Sequence, residues 1–569
     1  WGLNNGWWRF VSLPEVIEVV LANALGSAVS TALILTLAPP GFPMSLYVLE
    51  FLLCCIATVG IRVCARVLFV ALNRKKSTVR QKVLIYGAGE AGSLLAREID
   101  ANPSLGYRIV GFIDDDHSKK RMSIQGALVL GGRNELAAVA RRFDVHQVLV
   151  AMPSATGTQM VSVLEACQKA GLKFQTIPTF GSMIRGHALA SQIREVAVED
   201  LLARAPVESD RTPVSAKLNN RVVLVTGAAG SIGSELCRQI AGFQPRAIVG
   251  FEIGESALFE LDLEMRRTHP GVAFHPEIGS IQNPRRLAEI FARYAPSVVY
   301  HAAAYKHVPM MEAHVFEAVE NNVFGTYNVA MAAATHHVAD FIMISSDKAV
   351  RPSSIMGATK RVAELLMLAL EDQGTRYIAV RFGNVLGSSG SVVPLFKRQI
   401  AAGGPLTVTH PEMRRYFMTI SEAVQLVLQA STVGTGGDIF VLDMGEPVKI
   451  VDLARNLILL SGLVPDKDIA IEFTGVRPGE KLHEDLNAFN EDTIQTVHEK
   501  IRIFAGNGIP KRNTMAYLDE LREICLTRDT TQLVLTLKEI VPDYNPGGQL
   551  LRRALKSQSA GAEAVLAAS

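Results

Sequence analysis

Two glycine-rich turns, each set between a short apolar run and a helix-like stretch, limit most strongly what this chain can become. The first is Gly87-Ala88-Gly89-Glu90-Ala91-Gly92, entered from Val83-Leu84-Ile85-Tyr86. The second is Gly227-Ala228-Ala229-Gly230-Ser231-Ile232-Gly233, entered from Arg221-Val222-Val223-Leu224-Val225-Thr226. Continuous β-branched runs read as strands buried on both faces, as in a parallel sheet with helices on either side. A glycine turn leading from such a strand into a helix offers backbone N–H groups to a phosphate at the helix N-terminus. The expectation is an α/β chain with two doubly wound, Rossmann-like units. The glycine spacings differ, G-x-G-x-x-G against G-x-x-G-x-x-G, so these are not repeats of one motif.

Ahead of both turns the chain changes character. From Val19 to Leu49 no side chain is charged, and the run is broken only by Pro39-Pro40-Gly41-Phe42-Pro43. A bilayer core takes ~20 apolar residues per helix, which residues 19–38 provide. Residues 46–65 give a weaker second span, with Glu50 and Arg62 near its ends and able to snorkel. Arg62, Arg66, Arg74, Lys75, Lys76 and Arg80 follow, and Arg9 stands at the other end. The positive-inside rule then predicts a multi-pass hairpin in the inner membrane, with both ends and the domains that follow in the cytoplasm. A signal peptide fits poorly, because there are two apolar runs and no small-residue cleavage site after the first. The first residue is Trp1 rather than Met, so further sequence is expected upstream.

The organisation expected is a transmembrane segment over 1–76, a first Rossmann-like domain over 77–205, a linker over 206–220, a second domain over 221–505 and a helical tail over 506–569. A length of 569 residues agrees with several such units. The formal net charge of +2 gives no support for a nucleic-acid partner. Six scattered cysteines, with neither C-x-x-C spacing nor a histidine cluster, read as reduced structural thiols, and no metal site is expected.

In the first domain, Ile109-Val110-Gly111-Phe112-Ile113 ends in Asp114, an acidic residue about 20 positions beyond the turn, as in dinucleotide sites. Whether a nucleotide still binds there stays open. In the second domain Gly227 allows the tight turn, Gly230 clears the phosphates, and Gly233 lets the helix pack on its strand, with Ser231 and Ile232 between them. Ala247-Ile248-Val249-Gly250-Phe251 ends at Glu252, a carboxylate suited to a ribose diol and repelled by a 2′-phosphate. NAD is therefore favoured over NADP, unless Arg266 or Arg267 reverses the preference. Ser297-Val298-Val299-Tyr300 runs into His301-Ala302-Ala303-Ala304-Tyr305-Lys306-His307, where Ala302 and Ala303 let a cofactor lie against the backbone. His301 and His307 read as packed imidazoles, because nothing pairs them.

The chemistry concentrates in Phe341-Ile342-Met343-Ile344-Ser345, a strand whose end presents Ser346-Asp347-Lys348, and in Met356 and Lys360, four apart on one helix face. On these residues the second domain resembles the extended short-chain dehydrogenase/reductase superfamily. Within it, the domain is similar to the nucleotide-sugar 4,6-dehydratases. With the N-terminal apolar segment and the first domain included, the chain resembles the membrane-anchored UDP-N-acetylglucosamine 4,6-dehydratases of bacterial polysaccharide synthesis.

That superfamily usually carries Tyr where this chain has Met356, and a thioether has no proton to exchange. Either the site is inactive or Asp347 takes over the proton transfer; the resemblance implies the second. It also implies oxidation at C4 of the sugar, removal of the C5 proton by a neutral Lys348, and acid assistance by Asp347 as the C6 hydroxyl leaves. Ser346 would bond the 4-oxygen and Lys360 the nicotinamide ribose. Burial and the charge of a nearby nicotinamide would lower the Lys348 pKa, and an ion pair between the neighbours Asp347 and Lys348 is not expected.

The resemblance further assigns substrate contacts to Lys306, to Asn384 of Arg381-Phe382-Gly383-Asn384-Val385, to Arg415, and to Arg477 and Glu480 of Arg477-Pro478-Gly479-Glu480-Lys481. Ser280 stands where the family usually has an Asp for the adenine amine. A homo-oligomer is expected. The rivals are a nucleotide-sugar 4-epimerase and a redox-silent NAD- or UDP-sugar-binding membrane scaffold.

Overall fold

Each glycine-rich turn closes the first strand of its own parallel sheet. The structure, a computed structural model, describes residues 13–37, 43, 45–73, 81–177, 189–201, 210–370, 374–485, 493–504 and 511–548. These fall into two compact units, one holding the N-terminal helices with residues 99–109, the other everything else.

In the first unit, α1 (Leu13–Leu37) and α2 (Ser45–Asn73) pack together, and Asn23 Nδ2 donates to Thr58 Oγ1 at 2.9 Å. Leu25, Leu33, Leu35, Val48, Leu53 and Ile56 point outward, the reverse of a soluble core. Among the described residues, one helix is long and apolar enough to cross a membrane, over Val19–Thr36. The second expected span is helical over Ser45–Asn73, and its apolar stretch among the described residues covers Ser45–Ile61. Arg9, Arg74, Lys75, Lys76, Arg80 and residues 39–42 of the proline turn lie outside the described residues.

The second unit begins with a six-stranded sheet of β1 (Gln81–Tyr86), β2 (Tyr107–Ile113), β3 (Ser123–Ile124), β4 (Ala127–Gly131), β5 (Gln147–Val150) and β6 (Lys173–Thr176), in the order β3-β4-β2-β1-β5-β6. Helices α3 (Glu90–Ala101), α4 (Leu136–Phe143) and α5 (Gly157–Lys169) accompany it. The stretch expected as linker folds at α6 (Arg211–Leu218). Asp210 caps that helix, and Val214 and Leu218 are fully buried in the second domain, so two apolar residues four apart make it part of the core.

The second sheet starts with parallel strands β7 (Val222–Thr226), β8 (Ala247–Glu252), β9 (Phe274–Ile278), β10 (Val298–His301), β11 (Asp340–Ile344) and β12 (Arg376–Arg381). The chain then makes β13 (Asn384–Val385), β14 (Leu406–Val408), β15 (Arg414–Arg415) and β16 (Phe417–Met418), and returns to the sheet as β17 (Asp438–Leu442). After β18 (Val448–Lys449) and β19 (Ile471–Phe473) it adds an antiparallel edge, β20 (Thr493–Gln495) and β21 (Ile501–Phe504).

The order β20-β21-β17-β12-β11-β10-β7-β8-β9 reverses direction between β7 and β10. That switch point opens a crevice beyond the carboxyl ends of the strands, where such sheets bind ligands. The pairs β13·β16, β14·β19 and β15·β18 build the smaller part.

Beyond the sheet, helices Lys511–Thr527 and Thr530–Ile540 bury Leu518, Leu521, Leu533 and Leu537 in one cluster with Val362 and Leu366 of helix Ile355–Ala369. The described tail is thus packed on the second domain. Helix Ile450–Leu460 reaches the first domain: its Leu460 packs on that domain's core, and beyond it Gln168 donates to the Leu463 carbonyl.

Candidate active site

The crevice at the switch point is a cleft of about 890 Å³. Its nucleotide end is the turn between β7 and α7 (Ser231–Ala241). Gly227 has φ +65, and a Cβ there would lie 2.7 Å from the Ala303 backbone nitrogen; at Gly233 it would lie 2.0 Å from the Gly227 carbonyl oxygen. Only glycine fits either place. At Gly230, the residue before α7, an added Cβ would meet nothing but the Gly227 carbonyl, at 3.2 Å. The space above the α7 N-terminus is therefore free of protein and suits a diphosphate.

Gly227, Gly230, Ser231, Ile232, Gly233 and Ala302 line the cleft, with Ala303 against the turn. Glu252 ends β8 and accepts from the backbone N–H groups of Ala229, Ile253 and Gly254, at 3.2, 2.9 and 3.1 Å. Arg266 is engaged by Asp262 at 2.9 Å. Ser280 caps its own turn, accepting from Gln282 N–H at 3.1 Å. These residues fit a dinucleotide.

The reacting end sits at the end of β11. A 3-10 turn over Asp347–Ala349 folds Lys348 back on its neighbour, so Nζ reaches Asp347 Oδ1 at 2.9 Å. The ion pair not expected between sequence neighbours is therefore present, because the tight turn curls the longer side chain over the shorter. Ser346 Oγ donates to the same Oδ1 at 3.0 Å. The other oxygen, Oδ2, is buried without a hydrogen-bond partner among the described residues, beside Gly383. A buried carboxylate oxygen left unpaired is costly unless something else satisfies it.

Lys348 also donates to Asn384 Oδ1 at 3.2 Å and lies 3.7 Å from Glu484 Oε1. Burial alone would lower its pKa, as the sequence suggested, but Asp347 and Glu484 outweigh burial and hold the ammonium above its usual range. These two carboxylates favour the charged form of Lys348. Met356 and Lys360 share one face of helix Ile355–Ala369 and both line the cleft. Burial lowers the Lys360 pKa to about 8, Glu364 opposing, and its Nζ donates to the Ile344 carbonyl at 2.6 Å.

At the substrate end Lys306, Asn384, Arg415, Arg477 and Glu480 all line the cleft. Arg415 is buried, and its terminal nitrogens donate to the carbonyls of Arg414, Lys481 and Leu482. Arg477 pairs with Glu480 at 3.2 Å, while Glu480 Oε2 is buried and has no partner among the described residues.

His301 is the packed imidazole expected. It is fully buried and hydrogen-bonded to Thr226 Oγ1 at 2.7 Å and Thr326 Oγ1 at 2.9 Å, and burial drives its pKa down to about 3.

Three features escaped the sequence reading. Glu484 joins the Lys348 cluster. Asn322, on a π-turn over Glu320–Gly325, is fully buried; it accepts from Tyr305 N–H at 2.8 Å and donates to Thr359 Oγ1 at 3.2 Å, tying the Ala302–Lys306 loop to the helix of Met356. The only sequence signal was a polar Asn321-Asn322 pair beside Glu320, and π-turns gather at functional sites. Beneath the site, Glu364 accepts from Ser345, Arg381 and Arg361, at 2.6, 2.7 and 2.9 Å. Burial would raise its pKa, but Arg381 and then Arg361 bring it down to about 2.

In the first domain Asp114 is occupied by the protein itself. Ala88 N–H and Lys119 Nζ reach Oδ2 at 2.7 and 3.0 Å, and Asp116 N–H reaches Oδ1 at 2.9 Å.

Comparison with known proteins places both halves. Residues 223–505 match a polysaccharide biosynthesis protein family, and residues 7–178 match a CoA-binding domain. The chain is 43% identical over 498 residues to a probable polysaccharide biosynthesis protein, EpsC, of Bacillus subtilis (strain 168), covering 87% of this chain and 83% of that one. It is 43% identical over 499 residues to the capsular polysaccharide biosynthesis protein CapD of Staphylococcus aureus, with the same coverage of 87% and 83%. Over 282 residues, 48% of this chain and 79% of the relative, it is 35% identical to a UDP-glucose 4-epimerase of Rickettsia rickettsii (strain Sheila Smith).

Proposed function

Since this chain belongs to the polysaccharide biosynthesis protein family, we propose that its cleft removes water from a UDP-N-acetylhexosamine, UDP-N-acetylglucosamine first of all, to give the 4-keto-6-deoxy sugar. The observation that carries this reading is the divided carboxylate of Asp347: one oxygen held by Ser346 and Lys348, the other buried and unpartnered. Such a group takes a proton at one stage and returns it at another.

The glycine cradle fits NAD, held by Gly227, Gly230, Ser231 and Gly233 at its diphosphate, Glu252 at its adenosine ribose and Lys360 at its nicotinamide ribose. When bound, that cofactor supplies reversible hydride acceptance. Asp347 receives the proton of the sugar 4-hydroxyl, with Ser346 bonding the same oxygen. Once Asp347 is neutral, Lys348 has lost its nearest anion, and its hold on its own proton weakens. Lys348 is 19% exposed through the cleft, so that proton leaves to water. The resulting amine takes the proton from C5, made acidic by the adjacent ketone. Asp347 then gives its proton to the C6 hydroxyl, which departs as water and leaves a C5–C6 double bond. The hydride taken from C4 would return from the bound cofactor to C6 while Lys348 gives its proton back to C5, completing the 4-keto-6-deoxy sugar. Met356 exchanges no proton and packs against the ring. Asn384 and Arg415 hold the diphosphate, Lys306 and Arg477 stand at its flanks, and Glu480 meets the uridine ribose.

The likeness to a UDP-glucose 4-epimerase favours one alternative, inversion at C4. Against it stands the Asp347–Lys348 pair, which inversion at C4 does not need. Incubation with UDP-N-acetylglucosamine separates the two by mass. Dehydration gives a product lighter by one water, whereas epimerisation leaves the mass unchanged and would overturn the proposal. In the Asp347→Asn variant turnover falls by about 10³-fold or more while NAD stays bound, read by mass spectrometry of product and of released nucleotide. The N-terminal helices are proposed to hold this activity at the cytoplasmic face of the membrane.

A further inference from the structure

Three oxygens surround the Lys348 ammonium, on Asp347 at 2.9 Å, Asn384 at 3.2 Å and Glu484 at 3.7 Å. An ammonium has three protons to direct at acceptors and an amine only two, so this environment suits the charged form. Glu484 has a second partner: the same Oε1 lies 3.7 Å from Arg415 Nε. Its side chain is 4% exposed, so water screens neither contact strongly.

We infer that Glu484 is a positioning residue for both cations of the site, bracing Lys348 beside the sugar and Arg415 beside the diphosphate with a single carboxylate. The substrate named in the test rests on the dehydratase reading; the bracing rests on the geometry.

Around Lys348 the charged groups are Asp347 on its own turn, Arg415 on β15 and Glu484, with Tyr416 facing Asp347. Two cations stand against two anions. Glu484→Gln leaves the cations in excess, and Lys348 then sheds its proton more readily. Arg415 keeps its carbonyl partners but loses its only anionic one among the described residues.

The test uses the full chain, with rates of water loss from UDP-N-acetylglucosamine measured across pH and UDP affinity measured by calorimetry. Because Lys348 must lose a proton before C5 is attacked, kcat rises with pH. Glu484→Gln moves that rise to lower pH by about one unit, so the variant outpaces the wild type below the rise. Its KM and the Kd for UDP increase about tenfold. Glu484→Asp keeps the charge, leaving the rise near its original pH and weakening UDP less. A Glu484→Gln variant slower at every pH, with the rise unmoved and UDP binding within twofold, overturns the inference.

If the wild type releases no water, the dehydratase reading falls and UDP affinity alone decides the bracing. If Glu484→Gln does not fold, Glu484→Asp decides: weaker UDP binding with the rise in place supports the brace, and unchanged UDP binding refutes it.

Discussion

At the scale of single residues, the site depends on side chains that differ in what they can do with a proton. Asp347 can carry one and Met356 cannot. On the proposed mechanism Met356 works as filling. Met356→Leu, of nearly equal volume, keeps turnover within about threefold and changes stability by less than about 1.5 kcal/mol. Turnover lost with the fold intact would mean that the thioether has a more specific task. Lys348 shows what sequence cannot supply: its burial was legible, but its charge is set by Glu484, far along the chain, and by a turn that curls it over Asp347.

At the scale of elements, the reacting strand and helix are fastened from below. Glu364 on helix Ile355–Ala369 bridges Ser345 at the end of β11, Arg381 at the end of β12 and Arg361 on its own helix. Removing one partner strands a buried charge, so Arg381→Met lowers stability by about 3–5 kcal/mol, visible as an earlier thermal transition. A shift no larger than that of a surface substitution would show the network to be dispensable.

His301 makes a pH-dependent contribution. Its pKa falls from an ordinary 6.5 to about 3 in the folded protein, so below 6.5 the unfolded chain binds the proton first. The stability this neutral imidazole provides is fully present above 6.5 and is lost as pH falls towards 3. Unfolding measured across that window steepens in the wild type, and the slope is smaller in His301→Gln.

Strand ends were readable because β7, β8, β10 and β11 are buried runs that stop at a glycine or a polar residue. Asn322 and α6 were not readable. One depends on a π-turn, and the other on two apolar residues within a stretch that looks polar.

At the scale of the whole chain, the apolar helix over Val19–Thr36 carries the prediction about location. Deleting residues 1–80 moves the protein from the membrane pellet to the supernatant on cell fractionation. A truncated chain that stays in the pellet would place the anchor elsewhere. The first domain raises a different question, because Lys119 already holds the carboxylate that a ribose would need. Its glycine turn was plain in the sequence, whereas this internal lock depended on a lysine five residues beyond Asp114 folding back. Helix Ile450–Leu460 adds a last consequence. Its first residue lines the cleft, and its last packs on the core of the first domain, about 15 Å away along the axis. It is a short rod with one tip at the cleft and the other against a separate sheet, so a displacement of its first turn bears directly on the neighbouring domain.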